Sequence, residues 1–287
     1  MTLDPRQWFS ELSPETGSAF ALEITEKLHE EQSEFQHIEV YQTTRWGRLL
    51  VIDGCIMLSD RDNFVYHEMM THPVLYTHPA PRRVLIIGGG DCGTLREVLK
   101  HSEVAQAVQV DIDERVTRVS EQYFPALCEA NADPRAALRF ADGIRYVEDA
   151  EPDSVDVIIV DSTDPVGPGE VLFTEAFFRG CQRALDRHGL LVQQSESPLL
   201  HLESVIKPMY RRLRAAGFVD VQTLQFPQPV YPSGWWTCTM ASKDRLIGGF
   251  REQAAEDRAF PTRYYNAAIH RGALASPELL RQALATL

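Results

Sequence analysis

The chain has no Cys-x-x-Cys pair, and its five cysteines (Cys55, Cys92, Cys128, Cys181, Cys238) are odd in number and widely spaced. That argues against a disulfide framework and against a zinc site, so a reducing cytoplasm is the expected home. No apolar run approaches the roughly twenty residues that a membrane helix needs. The first residues, Met1-Thr2-Leu3-Asp4-Pro5-Arg6, show no basic start leading into an apolar stretch, so no secretory leader is expected either. Basic residues are scarce: 28 Lys and Arg against 41 Asp and Glu leave a formal net charge of -13. Phosphate contacts require clustered cations, so the charge argues against nucleic-acid binding, and cationic small molecules are favoured by long-range attraction. What remains is 287 residues with 44% hydrophobic content, enough to bury a sizeable core.

The acid is not spread evenly. Four consecutive apolar runs each end in aspartate: Arg83-Val84-Leu85-Ile86-Ile87 leads to Gly88-Gly89-Gly90-Asp91, Ala107 to Val110 leads to Asp111, Ala137 to Phe140 leads to Asp142, and Val155 to Val160 leads to Asp161 and Asp164. If these runs are neighbouring strands of one parallel sheet, their carboxyl ends share a crevice, the place where open α/β sheets bind ligands. Any single aspartate there can be a helix N-cap. Four in register exceed what capping requires.

Gly88, Gly90 and Gly93, with Asp111 about twenty residues on, also satisfy the spacing of a dinucleotide fingerprint. A dinucleotide, however, lays its diphosphate against the loop and the following helix N-terminus. Asp91 sits inside that loop and repels it. A carboxylate there suits a nucleoside whose other end is cationic: the sulfonium and amine of S-adenosylmethionine or its decarboxylated form.

Ahead of residue 75 the texture differs. Phe20 to Ile24, Gln36 to Gln42 and Arg48 to Ile52 read as strands separated by turn residues such as Asp53-Gly54, and a helix follows from about Phe64 to Tyr76. From Arg82 strand and helix alternate, with helices expected over Thr94 to His101, Glu114 to Phe124, Thr174 to Ala184 and Leu202 to Ala216. A fifth run from Gly189 to Gln194 and a last pair, Phe218 to Thr223 and Gly234 to Ser242, complete the sheet, and a helical extension is expected from Phe260 to Leu287. The expected fold is α/β: a Rossmann-like, seven-stranded, mostly parallel sheet with helices on both faces (76–287), preceded by a small antiparallel β domain (1–75).

The segments Tyr66-His67-Glu68-Met69, Gly88-Gly89-Gly90-Asp91, Asp161-Ser162-Thr163-Asp164-Pro165-Val166-Gly167-Pro168, Tyr231-Pro232-Ser233-Gly234 and Arg263-Tyr264-Tyr265-Asn266 together resemble the spermidine synthases, which are polyamine aminopropyltransferases. The resemblance spans nearly the whole chain and implies a homodimer that moves an aminopropyl group from decarboxylated S-adenosylmethionine to a diamine such as putrescine. Methylthioadenosine leaves; the nucleoside is a co-substrate, and no cofactor or metal takes part. By motif match, Gln36, Gly88, Gly90, Asp91, Asp111 and Asp142 bind the donor, with Asp111 at the ribose, Asp142 at the adenine amine and Asp91 at the primary ammonium. Asp161, helped by Tyr66, is the implied base; Asp164, Tyr231 and His67 are the implied acceptor contacts. A histidine on a helix is as readily a packed residue, and Trp235 and Trp236 read as core rather than as cation–π platforms.

The chain departs from the family pattern at Met57, Ser59-Asp60, Asp62-Asn63, Cys92 and Asp111. A side chain at Cys92, beside Asp91, is expected to alter the volume next to the transferred chain. Altered specificity, with intact S-adenosylmethionine as an aminocarboxypropyl donor or another polyamine as acceptor, is one alternative. An amine N-methyltransferase and an idle polyamine sensor are others.

Overall fold

The computed structural model describes residues 3–163, 167–285 and 287. Strands β1 (Trp8–Ser13), β2 (Ser18–Gln32), β3 (His37–Thr43), β4 (Arg48–Ile52) and β5 (Cys55–Ser59) form an antiparallel sheet in chain order. Two of them, β1 and β5, were not expected from the sequence: WFSELS alternates weakly, and CIMLS is a short run without polar positions between its apolar ones. Asp53 and Gly54 both take positive φ (51° and 82°), the backbone that a two-residue hairpin turn requires. Strand β2 is long because it serves two partners. Its first half pairs with β1 and its second with β3, and register shifts at Ile24/Glu26 and Lys27/His29 bend it between them.

Helix α1 (Asn63–Thr77) follows, buried on nearly every side. Pro73 cannot donate to the carbonyl of Met69; the Cys238 thiol lies 3.7 Å from that oxygen and donates instead. The second sheet has seven strands in the order β11-β12-β10-β9-β6-β7-β8. Strands β6 (Arg83–Gly88), β7 (Gln106–Asp111), β8 (Ala136–Phe140), β9 (Val155–Asp161) and β10 (Leu185–Gln194) run parallel, while β12 (Trp235–Ser242) is antiparallel to both β10 and β11 (Asp220–Pro227). Asp156 fastens the entry to this sheet by accepting from the backbone N–H of Arg82 and Arg83, both at 2.8 Å.

The intervening helices are α2 (Gly93–Leu99), α3 (Glu114–Tyr123), α4 (Gly143–Asp149), α5 (Glu175–Ala184) and α6 (Lys207–Ala215). Helix α4 was not expected from the sequence. The stretch expected as one helix from Leu202 instead begins with a π-helical turn, Leu202–Ile206, before α6. A short helix, α7 (Glu252–Glu256), precedes the expected C-terminal extension, which resolves into α8 (Ala267–Leu274) and α9 (Glu278–Leu284), with the 260–266 stretch non-helical.

Period-2 alternation along β6 builds a core on each face of the sheet. Val84 and Ile86 pack with α1, α2 and α8, whereas Leu85 and Ile87 pack with α5 and α6. The N-terminal sheet joins through a third core, in which Ile38, Val40, Leu50 and Leu58 meet Val116 and Val119 of α3. That contact sets the small sheet over the carboxyl ends of β6 and β7.

Candidate active site

Each of the sheet's first four strand ends delivers one aspartate to the same place. Asp91, Asp111, Asp142 and Asp161 line one cavity of about 330 Å³, together with Gln36, Tyr66, Gly88, Gly90 and Tyr231. Among the described residues lining it, none is Lys or Arg. Diphosphate has no counter-charge there, so the dinucleotide reading of the glycine loop loses its physical basis.

The loop is shaped by the end of β9. Gly89 N–H donates to the Asp161 carbonyl at 2.7 Å, and a Cβ on Gly88, where φ is +81°, would lie 2.1 Å from that same oxygen. Only glycine satisfies both the backbone angle and the approach. Beyond it, Asp91 Oδ1 accepts the Gly93 N–H at 2.6 Å and lies 3.2 Å from His67 Nε2. Burial alone would raise the Asp91 carboxyl and depress the His67 imidazole. The pairing outweighs it, holding Asp91 below and His67 above their ordinary values.

Asp161 is held by two hydroxyls: Tyr66 donates to Oδ1 at 2.7 Å and Thr94 to Oδ2 at 2.6 Å. Its carboxyl is raised above the ordinary range, first by burial and then by the Asp91 charge. The Tyr66 phenol is pushed well up by burial and by Asp161, so it stays protonated and donates. Asp111, at the end of β7, accepts the Asp113 N–H at 2.8 Å, yet burial pushes its carboxyl up to about 6. Asp142 caps α4 through the Ile144 N–H at 2.8 Å and still exposes 42% of its side chain. Capping and cavity lining are therefore not exclusive at this residue. Gln36 reaches the cavity from the turn between β2 and β3.

Tyr231 stands opposite Tyr66, with ring centroids 5.9 Å apart, and donates to the Met57 carbonyl at 2.5 Å. Asp62 fixes the segment before it, accepting from Gln228 Nε2 at 3.1 Å and the Val230 N–H at 3.2 Å. Behind the two tyrosines lies an annex of about 30 Å³ that shares Met57, Tyr66, Ser162, Thr163 and Tyr231 with the main cavity and adds Glu11, Gln194 and Trp236.

Some expectations from the sequence need correction. His67 is not on the cavity wall; its ring, 1% exposed, is wedged behind Asp91 against Gly93. Cys92 does not line the cavity either. Its side chain turns under the loop, with Sγ 3.6 Å from the Gly90 carbonyl oxygen, so it adds no volume beside Asp91's ligand face. Of the other departures from the family pattern, Met57 lines both cavities, whereas Asp60 lies outside them and accepts the Arg48 N–H at 2.7 Å. Asp164 falls outside the described residues. Thr94, Glu11 and Gln194 were missed. Of these, Thr94 alone carried a local signal, being the first hydroxyl after the glycine loop.

An acidic crevice at the switch point of a mostly parallel sheet, with a glycine loop and no lysine or arginine among its described lining residues, has the form of a nucleoside site of the Rossmann-like class. Residues 63–248 match the family model described as the spermine/spermidine synthase domain, and residues 7–60 match the spermidine synthase tetramerisation domain. The chain belongs to the spermidine synthase family, a family of aminopropyltransferase enzymes. Among curated relatives, the polyamine aminopropyltransferases of Thioalkalivibrio sulfidiphilus (strain HL-EbGR7) and Methylococcus capsulatus (strain ATCC 33009 / NCIMB 11132 / Bath) are each 65% identical over 284 residues, 99% of either chain. A crystal structure of spermidine synthase in complex with the transition state analogue AdoDATO superposes with a TM-score of 0.93 at 34% identity, covering 100% of this chain and 98% of that one. The spermidine synthase from Thermotoga maritima gives 0.92 at 33% identity with the same coverage.

Proposed function

We propose that the chain transfers the aminopropyl group of decarboxylated S-adenosylmethionine to one terminal amine of a diamine such as putrescine, giving spermidine and methylthioadenosine. The observation that carries this reading is the set of four carboxylates in one cavity with no lysine or arginine among its described lining residues. In this reading Asp111 takes the ribose hydroxyls, Asp142 and the Ile144 segment the adenine, Gln36 the open side of the nucleoside, and Asp91 the donor ammonium. An intact donor would bring its own carboxylate into the same acidic wall, which favours the decarboxylated form.

The incoming amine is protonated near neutral pH, and freeing its lone pair costs about 4 kcal/mol at pH 7. Asp161, raised by burial, accepts that proton. The lone pair then attacks the carbon next to sulfur, the C–S bond breaks, and its electrons neutralise the sulfonium as methylthioadenosine leaves. The new secondary amine departs as an ammonium, so one proton is released in all. Tyr66 and Tyr231 flank the acceptor chain, Asp164 lies within the motif that implies an acceptor contact, and the far ammonium enters the annex beside Glu11. Holding both reactants in line supplies much of the rate.

We further propose the division into an N-terminal β unit (1–75) and a catalytic unit (76–287), and a homo-oligomer built on the N-terminal unit. The match to a tetramerisation domain supports oligomers, the dimer being our expectation. No helix among the described residues is long and apolar enough to cross a membrane, and all five cysteines are free, which is in keeping with a cytoplasmic setting. The decisive experiment is mass spectrometry of products from a panel of diamines and triamines with each nucleoside. Methylthioadenosine with an aminopropylated amine is expected. Adenosylhomocysteine, the product of methyl transfer, or no turnover would overturn the reading.

A further inference from the structure

Two thiols that the transfer chemistry does not use flank the glycine loop. Cys92 is fully buried with Sγ 3.6 Å from the Gly90 carbonyl oxygen, and Cys128, half-buried in the segment after α3, sets its Sγ 3.6 Å from the Asp91 carbonyl oxygen. The two thiols also hydrogen-bond to each other, so both sulfurs gather beside the 90–91 backbone. Neither cysteine lines the nucleoside cavity, whereas Gly90 and Asp91 do.

Inert packing accounts poorly for this pair. Cys92 holds φ at 68°, in the left-handed region that favours glycine, and is one of the positions where the chain departs from the family pattern. What its side chain gains there is contact with Cys128 and with Gln109, whose Nε2 lies 3.7 Å from Cys92 Sγ. Gln109 is itself 1% exposed, and its Oε1 has no hydrogen-bond partner among the described residues. The surroundings of the sulfurs are thus polar as well as close. The Cys128 thiol is held protonated, chiefly by its bond to Cys92 and then by burial, so the pair is quiet until an oxidant reaches it. Disulfides in reducing compartments are mostly of this transient, sensing kind.

We propose that Cys92 and Cys128 form a reversible disulfide under a hydroperoxide, and that this bond deforms the glycine loop and weakens nucleoside binding. The two thiols give up two protons and two electrons as the S–S bond forms, the O–O bond breaks, and hydrogen peroxide leaves as two waters. Bonded sulfurs sit much closer than hydrogen-bonded ones, so closure draws Cys92 from the Gly90 carbonyl or Cys128 from that of Asp91. Either movement shifts the two loop residues that face the ligand. Reduction by a thiol reverses it. The consequence for turnover rests on the aminopropyl-transfer reading above; the cross-link and its effect on binding do not.

The test treats the purified protein with hydrogen peroxide, maps its peptides by mass spectrometry, and titrates methylthioadenosine calorimetrically before oxidation, after it, and after dithiothreitol. A cross-linked peptide joining Cys92 to Cys128 is expected, two hydrogens lighter than the reduced pair. The methylthioadenosine Kd is expected to rise by about tenfold or more, the scale of one lost hydrogen bond to a charged group, and to recover on reduction. Cys92→Gly, which suits the backbone angle, and Cys128→Ser, which keeps the size, should bind as the reduced wild type does and resist peroxide. A cross-link absent from the oxidised protein, or one that leaves the Kd unchanged, overturns the proposal. An equal loss of affinity in the wild type and both variants also overturns it, because the damage then lies elsewhere. A chain that binds methylthioadenosine but transfers no aminopropyl group overturns the functional reading and leaves the cysteine pair standing. No binding by the reduced protein overturns both.

Discussion

The Tyr66 hydroxyl lies 2.7 Å from Asp161 Oδ1, and Tyr66 is the donor, because burial and the Asp161 charge hold its phenol well above the ordinary tyrosine range. With Thr94 on the other oxygen, both lone-pair faces of the carboxylate are oriented before substrate arrives. Asp161→Asn removes the proton acceptor, so kcat is expected to fall by about 10²–10⁴-fold while the donor KM moves little. In the proposed role of proton acceptor, Asp161 works only when ionised. Activity is therefore lost as pH falls through its raised pKa, and removing a hydroxyl that stabilises the anion raises that pKa further. The acid limb of the kcat/KM profile should shift to higher pH in Tyr66→Phe and in Thr94→Val. An acid limb unmoved in both variants would show that these hydroxyls do not tune the base.

Donor affinity carries a second pH signature. Burial, with the charges of Asp113 and Asp161 behind it, pushes the Asp111 carboxyl up to about 6 against the Asp113 N–H. A raised acid binds its proton more tightly in the folded chain than in the unfolded one. Its ionisation therefore costs stability above about pH 6, a cost that disappears below the unfolded value near 3.8. In the proposed role at the ribose, the ionised form would accept two hydroxyls and the protonated form would do so poorly. The donor KM is expected to rise as pH falls through about 6 in the wild type and to be high and flat in Asp111→Asn. Parallel profiles for the two proteins would remove Asp111 from the donor site.

Gly93 and His67 are coupled by contact. A Cβ on Gly93 would lie 2.2 Å from His67 Cε1 and 2.5 Å from Nε2, and the buried ring has nowhere to turn. Gly93→Ala is expected to expel the imidazole, strip Asp91 of its partner and cost about 1–3 kcal/mol of stability. Losing a hydrogen bond to a charged group should also lower kcat/KM for the donor by about tenfold or more. In a His67→Ala background the glycine substitution should add little, because the clash is gone. Additive losses in that double-mutant cycle would refute the coupling.

How much of this was legible depended on range. The four aspartates and the glycine loop are local motifs at strand ends, and the sequence brought Asp91, Asp111, Asp142 and Asp161 to one crevice without help from tertiary contacts. The family resemblance supplied Tyr66 and Tyr231, which no periodicity singles out. The rest was lost to distance or to weak patterning. Strands β1 and β5 lack a clear alternation of apolar and polar positions, and helix α4 buries a single residue, Val147, so none of the three shows a strong pattern. The place of His67 is set by a glycine on another helix, and the annex draws Glu11, Gln194 and Trp236 from strands far apart in sequence. Cys92 misled because adjacency to Asp91 was taken as a shared direction, whereas its positive φ of 68° turns the side chain under the loop.

The same lesson applies to Glu68 and the 263–265 stretch, which belong to motifs that carried the resemblance but line neither the main cavity nor the annex. Glu68 is 2% exposed, and its carboxylate accepts the backbone N–H of Arg263 at 2.8 Å, Tyr264 at 2.9 Å and Tyr265 at 2.7 Å. It ties α1, which bears Tyr66, to the non-helical stretch ahead of α8, and Tyr265 lies fully buried in the core beside it. A negative charge is affordable there because three donors replace its water. Glu68→Ala leaves three donors without a partner in a part-buried setting and should cost on the order of 3 kcal/mol, read as a lower denaturant midpoint. Glu68→Gln retains an acceptor oxygen but turns an amide N–H₂ toward a donor, so an intermediate loss is expected. Both variants should keep the wild-type acid limb, since neither touches Asp161. A midpoint within about 0.5 kcal/mol of wild type for Glu68→Ala would mean that the 263–265 backbone finds other acceptors at no cost.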